Sequence, residues 1–521
     1  MDIDVLSRQI KEYDNALDLT ISLGNEIHIT TTKEKIVTLV DQLLKEFSIR
    51  FLAEFARQEK DIFIISILFV SRECPCFVKI DYPTEKELNS LQNIIFQSYL
   101  YEREISDLYG ISIKNGLDTR PIVKHEKWPK DVFPLRKEFA FGQKIKESNE
   151  FSRYPYKEVT GGGHQIFAGP VHAGIIGPGH FRFSAIGEDI ENLEVRLMYK
   201  HRGIEKLAEN VDANNLNLVF ERVSGECSVS YGESFALLVE KMLNYTPPKE
   251  IQALRVILLE LERIYNFLGD IGGICTDVGF SYPAKKFEYF AEIIHQLCER
   301  VTGSRFIRNA IIPLGSNIDF TQKDIMDIKE TLTSIKVRLT TIFHLATDNV
   351  TFLDRTESTG MLDTDAARKF CLTGVVARAS GLNTDVRTKF GYEIYPELKE
   401  GNHTEIIGGA FERYKIKIEE IKDSFKFIEK ATSYIKTDLK RKKTPLNLKE
   451  GMEAIVAVET VKGELVVYGQ VGKDNKFNRL YFKTPSFTSF HGLAEVVLGE
   501  IVPDFPLCNK SFNMSYSEND R

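Results

Sequence analysis

Seven cysteines, Cys74, Cys76, Cys227, Cys275, Cys298, Cys371 and Cys508, are the residues of this sequence whose chemistry depends most on spacing. Thiolates grouped in short motifs hold zinc, iron–sulfur clusters or soft low-valent metals. These seven make no such set, so an iron–sulfur cluster is not expected in this chain. Their odd number gives no disulfide framework and fits a reducing compartment, with the cytoplasm as the expected location. Cys275, Cys298 and Cys371 lie in apolar helical or strand contexts, the setting of inert buried thiols. Nicotinamide chemistry is not expected either, because no Gly-x-Gly-x-x-Gly follows a predicted strand and opens a helix.

Composition bounds what can position these residues. With 521 residues the chain is long enough for about three domain-sized units. Its 43% hydrophobic and 27% charged residues exclude disorder and fibrous structure. Sixty-eight Lys+Arg against 75 Asp+Glu leave a net charge of −7, which lacks the basic excess that nucleic acid requires. The start, Met1-Asp2-Ile3-Asp4, is acidic and is not expected to be a secretory signal. The longest apolar run, Phe63 to Val70, is broken only by Ser66 and falls far short of the ~20 residues of a membrane-spanning helix. Any work at a membrane is therefore expected to depend on other subunits.

Periodicity predicts an α+β fold. Lys33 to Phe55 has helical spacing, whereas Asp61 to Val70 and Cys76 to Ile80 read as strands, giving a small α+β unit. Between Lys114 and Tyr156, Asp118, Arg120, Pro121, Pro129, Pro134 and Pro155 punctuate an extended connector closed by Gly161-Gly162-Gly163. Strand-like alternation returns at Phe181. Helices follow over Glu250–Gly269, Lys286–Val301, Lys323–Phe343 and Tyr414–Lys440, a central helical bundle. Ala454 to Glu459 and Glu464 to Val471 flank a Lys462-Gly463 turn and read as a hairpin among peripheral β-sheets. Lys440 to Lys443 reads as a solvated basic helix end.

Two sets of motifs carry a resemblance. Glu102-Arg103-Glu104, Asp107-Leu108-Tyr109-Gly110, Asp118, Arg120, Trp128 and Pro134-Leu135-Arg136-Lys137 resemble the small hydrophilic subunit of respiratory complex I. Gly169-Pro170-Val171-His172, Gly177-Pro178-Gly179-His180-Phe181-Arg182 and His201-Arg202-Gly203-Ile204-Glu205-Lys206 match the opening of the large subunit of energy-converting NiFe hydrogenases and its complex I relative. Arg255 to Asn266, Arg355-Thr356, Ala377-Arg378-Ala379-Ser380-Gly381, Asp385, Arg387, Glu459, Gly463-Glu464 and Pro485-Ser486-Phe487 follow in that family's order. The chain thus resembles the fused hydrogenase-4 and formate hydrogenlyase type of large subunit. The resemblance implies a scaffold domain over 1–140, a connector over 141–163 and a hydrogenase-large-subunit-like domain over 164–521.

That resemblance also says where metal ligands belong. Family members with a NiFe centre hold it with two Cys-x-x-Cys pairs. Here the first pair reads Ser224 and Cys227, and alignment on Asp520-Arg521 puts Ser515 and Glu518 at the second. One thiol, two hydroxyls and a carboxylate make a hard, mixed set, so no NiFe centre is expected. The chain stops at Asp520-Arg521, as the complex I relatives do, so no extension is expected to be cut after metal insertion. In those relatives a quinone headgroup sits between a His and a Tyr. His172 matches the His and can act as a proton donor near neutrality, but Gly225 stands at the Tyr position, with Tyr231 and Tyr516 as candidate substitutes. The matching roles for Glu205 and Arg378 are proton transfer and stabilisation of negative charge, or alternatively an internal ion-pair network. Asp385 and Arg387 read as structural partners, and His201-Arg202 as a wall facing an iron–sulfur subunit.

The function so implied is that of a subunit of a membrane-associated energy-converting oxidoreductase complex. It would pass electrons from a partner iron–sulfur subunit to a quinone or another acceptor in a remodelled cavity lined by His172, Glu205, Ser224, Cys227, Arg378, Ser515 and Glu518. The expected partners are that iron–sulfur subunit and antiporter-like and other membrane subunits. The expected place is the cytoplasmic face of the inner membrane. The alternatives are a non-catalytic coupling subunit of an ion-translocating complex and, third, an active NiFe hydrogenase. Any dependence on NADH is expected to lie in another subunit.

Overall fold

The computed structural model describes residues 2–13, 17–149, 153–157, 163–172, 176–399, 401 and 403–521. Met1 and parts of the 141–163 connector, including Gly161 and Gly162, lie outside the described residues. Helix α1 (Ile3–Tyr13) leads to strands β1 (Asp18–Ser22) and β2 (Glu26–Thr30), helix α2 (Ile36–Glu46), and strands β3 (Ile49–Glu59), β4 (Ile62–Ser71) and β5 (Phe77–Thr84). The sheet order is β1-β2-β5-β4-β3, with β2 and β5 parallel and the other pairs antiparallel.

The expected helix over Lys33–Phe55 is corrected here: it ends at Glu46, and Ile49 onward is a strand. The reason lies in its environment. Residues 51–56 are buried on both faces of β3 and are apolar except for the buried Glu54, a pattern that periodicity cannot separate from a buried helix. One face is covered by Tyr481, whose ring stacks on Phe55 at 4.5 Å between centroids.

Strands β6 (Glu87–Asn89) and β7 (Ser112–Lys114) pair in parallel around helix α3 (Ser98–Tyr109). The motif residues of α3 organise the connector that follows. The Asp107 carboxylate accepts the backbone N–H groups of Ile122, Val123 and Lys124 at 2.7–3.0 Å. Arg103 donates to the carbonyls of Arg120 and Pro121. A segment without helix or strand must satisfy its backbone elsewhere, and these side chains do so.

Strands β8 (His164–Ala168), β9 (His180–Ile186) and β10 (Asp189–Arg196) form an antiparallel sheet. Next come α4 (Ile204–Ala208), α5 (Asn217–Phe220), α6 (Ser228–Met242), α7 (Lys249–Asp277) and α8 (Ser281–Thr302), then the β11–β12 pair (Ile311–Ile312, Gly315–Ser316) and α9 (Gln322–Thr347). Five short helices, α10 to α14 (Val350–Thr356, Thr364–Lys369, Gly374–Ala379, Val386–Lys389 and Tyr395–Leu398), lead to α15 (Ala410–Thr432). The chain continues through β13 (Glu453–Thr460), β14 (Gly463–Val471), β15 (Phe477–Lys483), α16 (Pro485–Val496), α17 (Phe505–Phe512) and α18 (Tyr516–Asp520).

Helix α7 is the axis of the bundle, packed against α8 and α15, while α9 covers α8. The expected helix over Tyr414–Lys440 is corrected to α15, ending at Thr432. Beyond it Leu439 exchanges backbone hydrogen bonds with Phe320, which draws the chain into a β-bridge. Cys275 and Cys298 sit buried in α7 and α8 as expected, but Cys371 departs from expectation. It occupies a turn after α11 with φ 50°, partly exposed rather than in an apolar element.

One hydrophobic core runs from Leu6 to Leu507, through both the N-terminal sheet and the bundle. Charged pairs cross the same seam: Arg50 with Glu464, Lys79 with Glu453 at 2.9 Å, and Lys241 with Glu26. Inside the bundle Arg255, 1% exposed, donates to Glu240 at 2.7 and 2.9 Å, to Glu393 at 2.9 Å and to the Ile312 carbonyl at 3.0 Å. Removing one partner of a buried ion cluster leaves uncompensated charge, so Arg255→Met is expected to cost about 3–5 kcal/mol in chemical denaturation. Arg300→Met, which breaks a half-exposed pair with Asp327, is the control and should shift stability by about 0.5 kcal/mol or less.

Candidate functional site

Three segments distant in sequence meet beside α6. The α5–α6 loop brings Ser224, and Cys227 directly precedes α6. Ser515 caps α18 and Glu518 lies in its first turn. Ser486 opens α16 after Pro485. All five are buried, with relative exposures of 3% or less. The Ser224 and Ser515 hydroxyls are 3.4 Å apart, and Ser515 accepts the Glu518 backbone N–H at 3.3 Å. Glu518 accepts from Tyr231 Oη at 3.0 Å on one oxygen and from the Ser486 hydroxyl on the other. The four positions that the family aligns with metal ligands are therefore brought together.

Their chemistry is that of a proton-holding cluster. Burial lifts the Glu518 carboxyl to about 6, against the hydrogen bonds of Ser486 and Tyr231 and the nearby Lys462 charge, which pull it down. Burial also raises the Cys227 thiol well above its ordinary value, and the carboxylates of Glu262, Glu518 and Glu226 push the same way. Glu262 in α7 accepts the N–H groups of Val229 and Ser230 at 2.7 and 3.1 Å and is raised to about 7, chiefly by burial. Lys462, at the β13–β14 turn, is the cation of this region. Its ammonium is buried, lies 3.4 Å from Glu226 and makes no hydrogen bond among the described residues. Burial opposes its charge, but Glu226 and Asp270 outweigh that and hold its pKa above the ordinary value.

A NiFe pair requires bridging thiolates. Here the only sulfur is a thiol held protonated beside carboxylates, and the oxygen donors are spent on one another. The residues present do not fit that centre.

The remaining candidates are placed differently. Glu205 in α4 pairs with Arg479 at 2.6 Å and with Arg521 at 3.3 Å, while Arg521 also pairs with Glu104 of α3. Glu205 thus adjoins the cluster through Arg521, the residue next to α18. Arg378 is spent in an ion network with Glu459 at 2.8 Å and with Glu420, which Arg263 and Arg387 share. That is the internal ion-pair network, the alternative role for this residue. Asp385 and Arg387 pair at 2.7 Å within the same network.

His172 is half-buried, with Nε2 2.8 Å from the Gly179 carbonyl, and no contact among the described residues joins it to the cluster. Its loop reaches the cluster's neighbour: Gly177 and Gly179 lie so close against Tyr516 that a Cβ at either would stand 2.9 Å or less from that side chain. A Cβ at Gly225 would meet only the Arg308 guanidinium, at an ordinary contact distance of 3.6 Å. Arg202 clamps the two halves of the cluster by donating to the carbonyls of Val223 at 2.9 Å and Ser517 at 2.6 Å.

Sequence reasoning misses Lys462, Glu262 and the role of Ser486. Ser486 stands inside a family motif, and Lys462 reads in the sequence only as a turn residue, since nothing local signals that a hairpin turn is buried.

Because Glu518 titrates higher in the folded chain than its ordinary 4.5, it contributes stability at low pH that is lost as pH rises through about 6. Glu518→Gln removes this term. Denaturation across that range should show wild type losing about 2 kcal/mol relative to the variant. Parallel profiles would contradict the assignment.

Comparison with known proteins places these residues in a family. Residues 29–144 match the family model described as "Respiratory-chain NADH dehydrogenase, 30 Kd subunit", and residues 277–450 and 435–521 match the one described as "Respiratory-chain NADH dehydrogenase, 49 Kd subunit". Formate hydrogenlyase subunit 5 of Escherichia coli (strain K12) is 27% identical over 431 residues, covering 81% of this chain and 74% of that protein. Hydrogenase-4 component G of the same organism is 28% identical, covering 81% and 73%. The fused C/D polypeptide of the NADH-quinone oxidoreductase of Phocaeicola vulgatus is 29% identical, covering 76% and 80%. Both family models are matched in order along one polypeptide, so the chain carries a 30 Kd-type and a 49 Kd-type region of the respiratory-chain NADH dehydrogenase fused together, and it is similar to hydrogenase-4 and formate hydrogenlyase subunits.

Proposed function

We propose that this chain is a subunit of a membrane-associated, energy-converting oxidoreductase complex of the hydrogenase-4 and complex I type. It passes electrons from the iron–sulfur cluster of a partner subunit to a quinone or another two-electron acceptor, with no NiFe centre. The observation that carries this reading is the convergence of Glu518, Tyr231 and Ser486, with the buried Lys462 charge nearby, on the family's metal-ligand positions. Two-electron reduction of a quinone consumes two protons. Glu518, with its pKa near 6, can take up and release a proton close to neutral pH, and His172 orients or protonates the acceptor. Glu205 carries protons toward α18, and Arg378 stabilises the region as part of its ion network.

No helix among the described residues is long and apolar enough to cross a membrane. Attachment at the cytoplasmic face of the inner membrane then falls to antiporter-like and other membrane subunits.

A second reading, a non-catalytic coupling subunit, draws on one observation. The hydroxyl, thiol and carboxyl groups at the four positions are buried and largely satisfied by one another. The purified complex separates the two. Quinone-dependent turnover lowered at least about tenfold by His172→Ala, and also lowered by Glu518→Gln, supports electron transfer. Turnover untouched by both variants favours coupling alone. Stoichiometric nickel with hydrogen uptake would overturn either reading.

A further inference from the structure

A large cavity among the described residues takes its lining from none of Ser224, Cys227, Ser515 and Glu518. It holds about 440 Å³ and opens where α3, the connector, β10, α16 and α18 meet. That volume is in the range of small-molecule sites, roughly 300–1,000 Å³.

One polar group on its wall, the Asn519 carbonyl oxygen, is buried without a hydrogen-bond partner among the described residues, and the half-buried Tyr99 hydroxyl and His491 imidazole share that wall. Buried polar groups are normally paired, so the unpaired Asn519 oxygen, on one cavity wall with two further polar groups, asks for a ligand. His491 is neutral, since burial and the charge of Arg103 push its pKa down to about 3, and it can therefore both donate and accept. Tyr99 donates and Asn519 accepts.

The rest of the lining sets shape and charge. Phe96, Tyr99, Tyr154 and Phe487 supply aromatic surface. Arg196 lies over the Tyr154 ring with its carbon 4.0 Å from the centroid. It donates to the carbonyls of Pro121 and Lys124 and has no carboxylate partner among the described residues. The cations Arg103, Arg120, Arg196 and Lys157 outnumber the carboxylates Asp118, Glu194 and Glu495 on the wall by a single positive charge.

The geometry points to a binding site for a small, planar, singly anionic aromatic molecule that carries a hydroxyl or ring N–H. The ring lies among the aromatic side chains, its donor meets Asn519, its acceptor meets Tyr99 and His491, and its charge balances the extra guanidinium.

The probe is para-hydroxybenzoate, titrated into the full chain by calorimetry with saturation-transfer NMR. It should bind, and Tyr99→Phe, which removes one hydroxyl, should weaken it by about fivefold. Leu498→Trp, at a rim position 44% exposed and unable to disturb the core, should weaken it as well. The neutral para-hydroxybenzamide and the non-planar cyclohexanecarboxylate should each bind more weakly than the probe. No binding at millimolar concentration, or binding indifferent to both variants, would overturn the site. Equal binding of either analogue would overturn the ligand class. None of these readouts depends on quinone turnover, so the result is independent of the proposed function.

Discussion

Arg521 is the residue on which the assembly of this chain turns. Its guanidinium lies buried between Glu205 of α4 and Glu104 of α3, with Arg479 of β15 completing the set. Two cations and two carboxyls share one dry pocket, and burial lifts the Glu104 carboxyl to about 7 against the pull of Arg521. Three stretches of chain more than a hundred residues apart must arrive together for any of these charges to be compensated. Helix α18 is fixed as a consequence, and with it Ser515 and Glu518.

Much of this is legible in the residues alone. The amphipathic stripe of Glu250–Gly269 lies within α7, and the Lys462-Gly463 turn joins two strands as its residue types require. What misleads is burial on both faces. Phe51 to Phe55 is buried on both faces, Glu54 included, because Tyr481 covers one surface of the sheet and α3 lies against the strand, so local pattern does not separate strand from helix. The motif residues of the scaffold are legible as identities but not as roles. Arg103 and Asp107 look like chemistry in a sequence, whereas in space they hold the backbone of a connector that has no ladder of its own.

The candidate site is legible in the same uneven way. Alignment places Ser224, Cys227, Ser515 and Glu518 together, and so they are. It does not reveal that Tyr231 serves as hydrogen-bond donor to Glu518, or that Glu262 binds the amides opening α6, because the partners in these contacts lie 33 to 287 positions apart. Arg378 shows the reverse case: a residue that alignment nominates for the site is held by a network shared with Arg263 and Arg387.

Lys462 has a consequence of its own. A pair of transition metals alters its formal charge as electrons come and go, and the surrounding dipoles must readjust at every step. An ammonium keeps a single charge at all potentials. The charge that the side chains themselves place at the converged positions therefore does not follow electrons, and changes only with the gain or loss of a proton on the acids around Lys462. Whatever is reduced beside them meets a field that these residues tune by acidity alone.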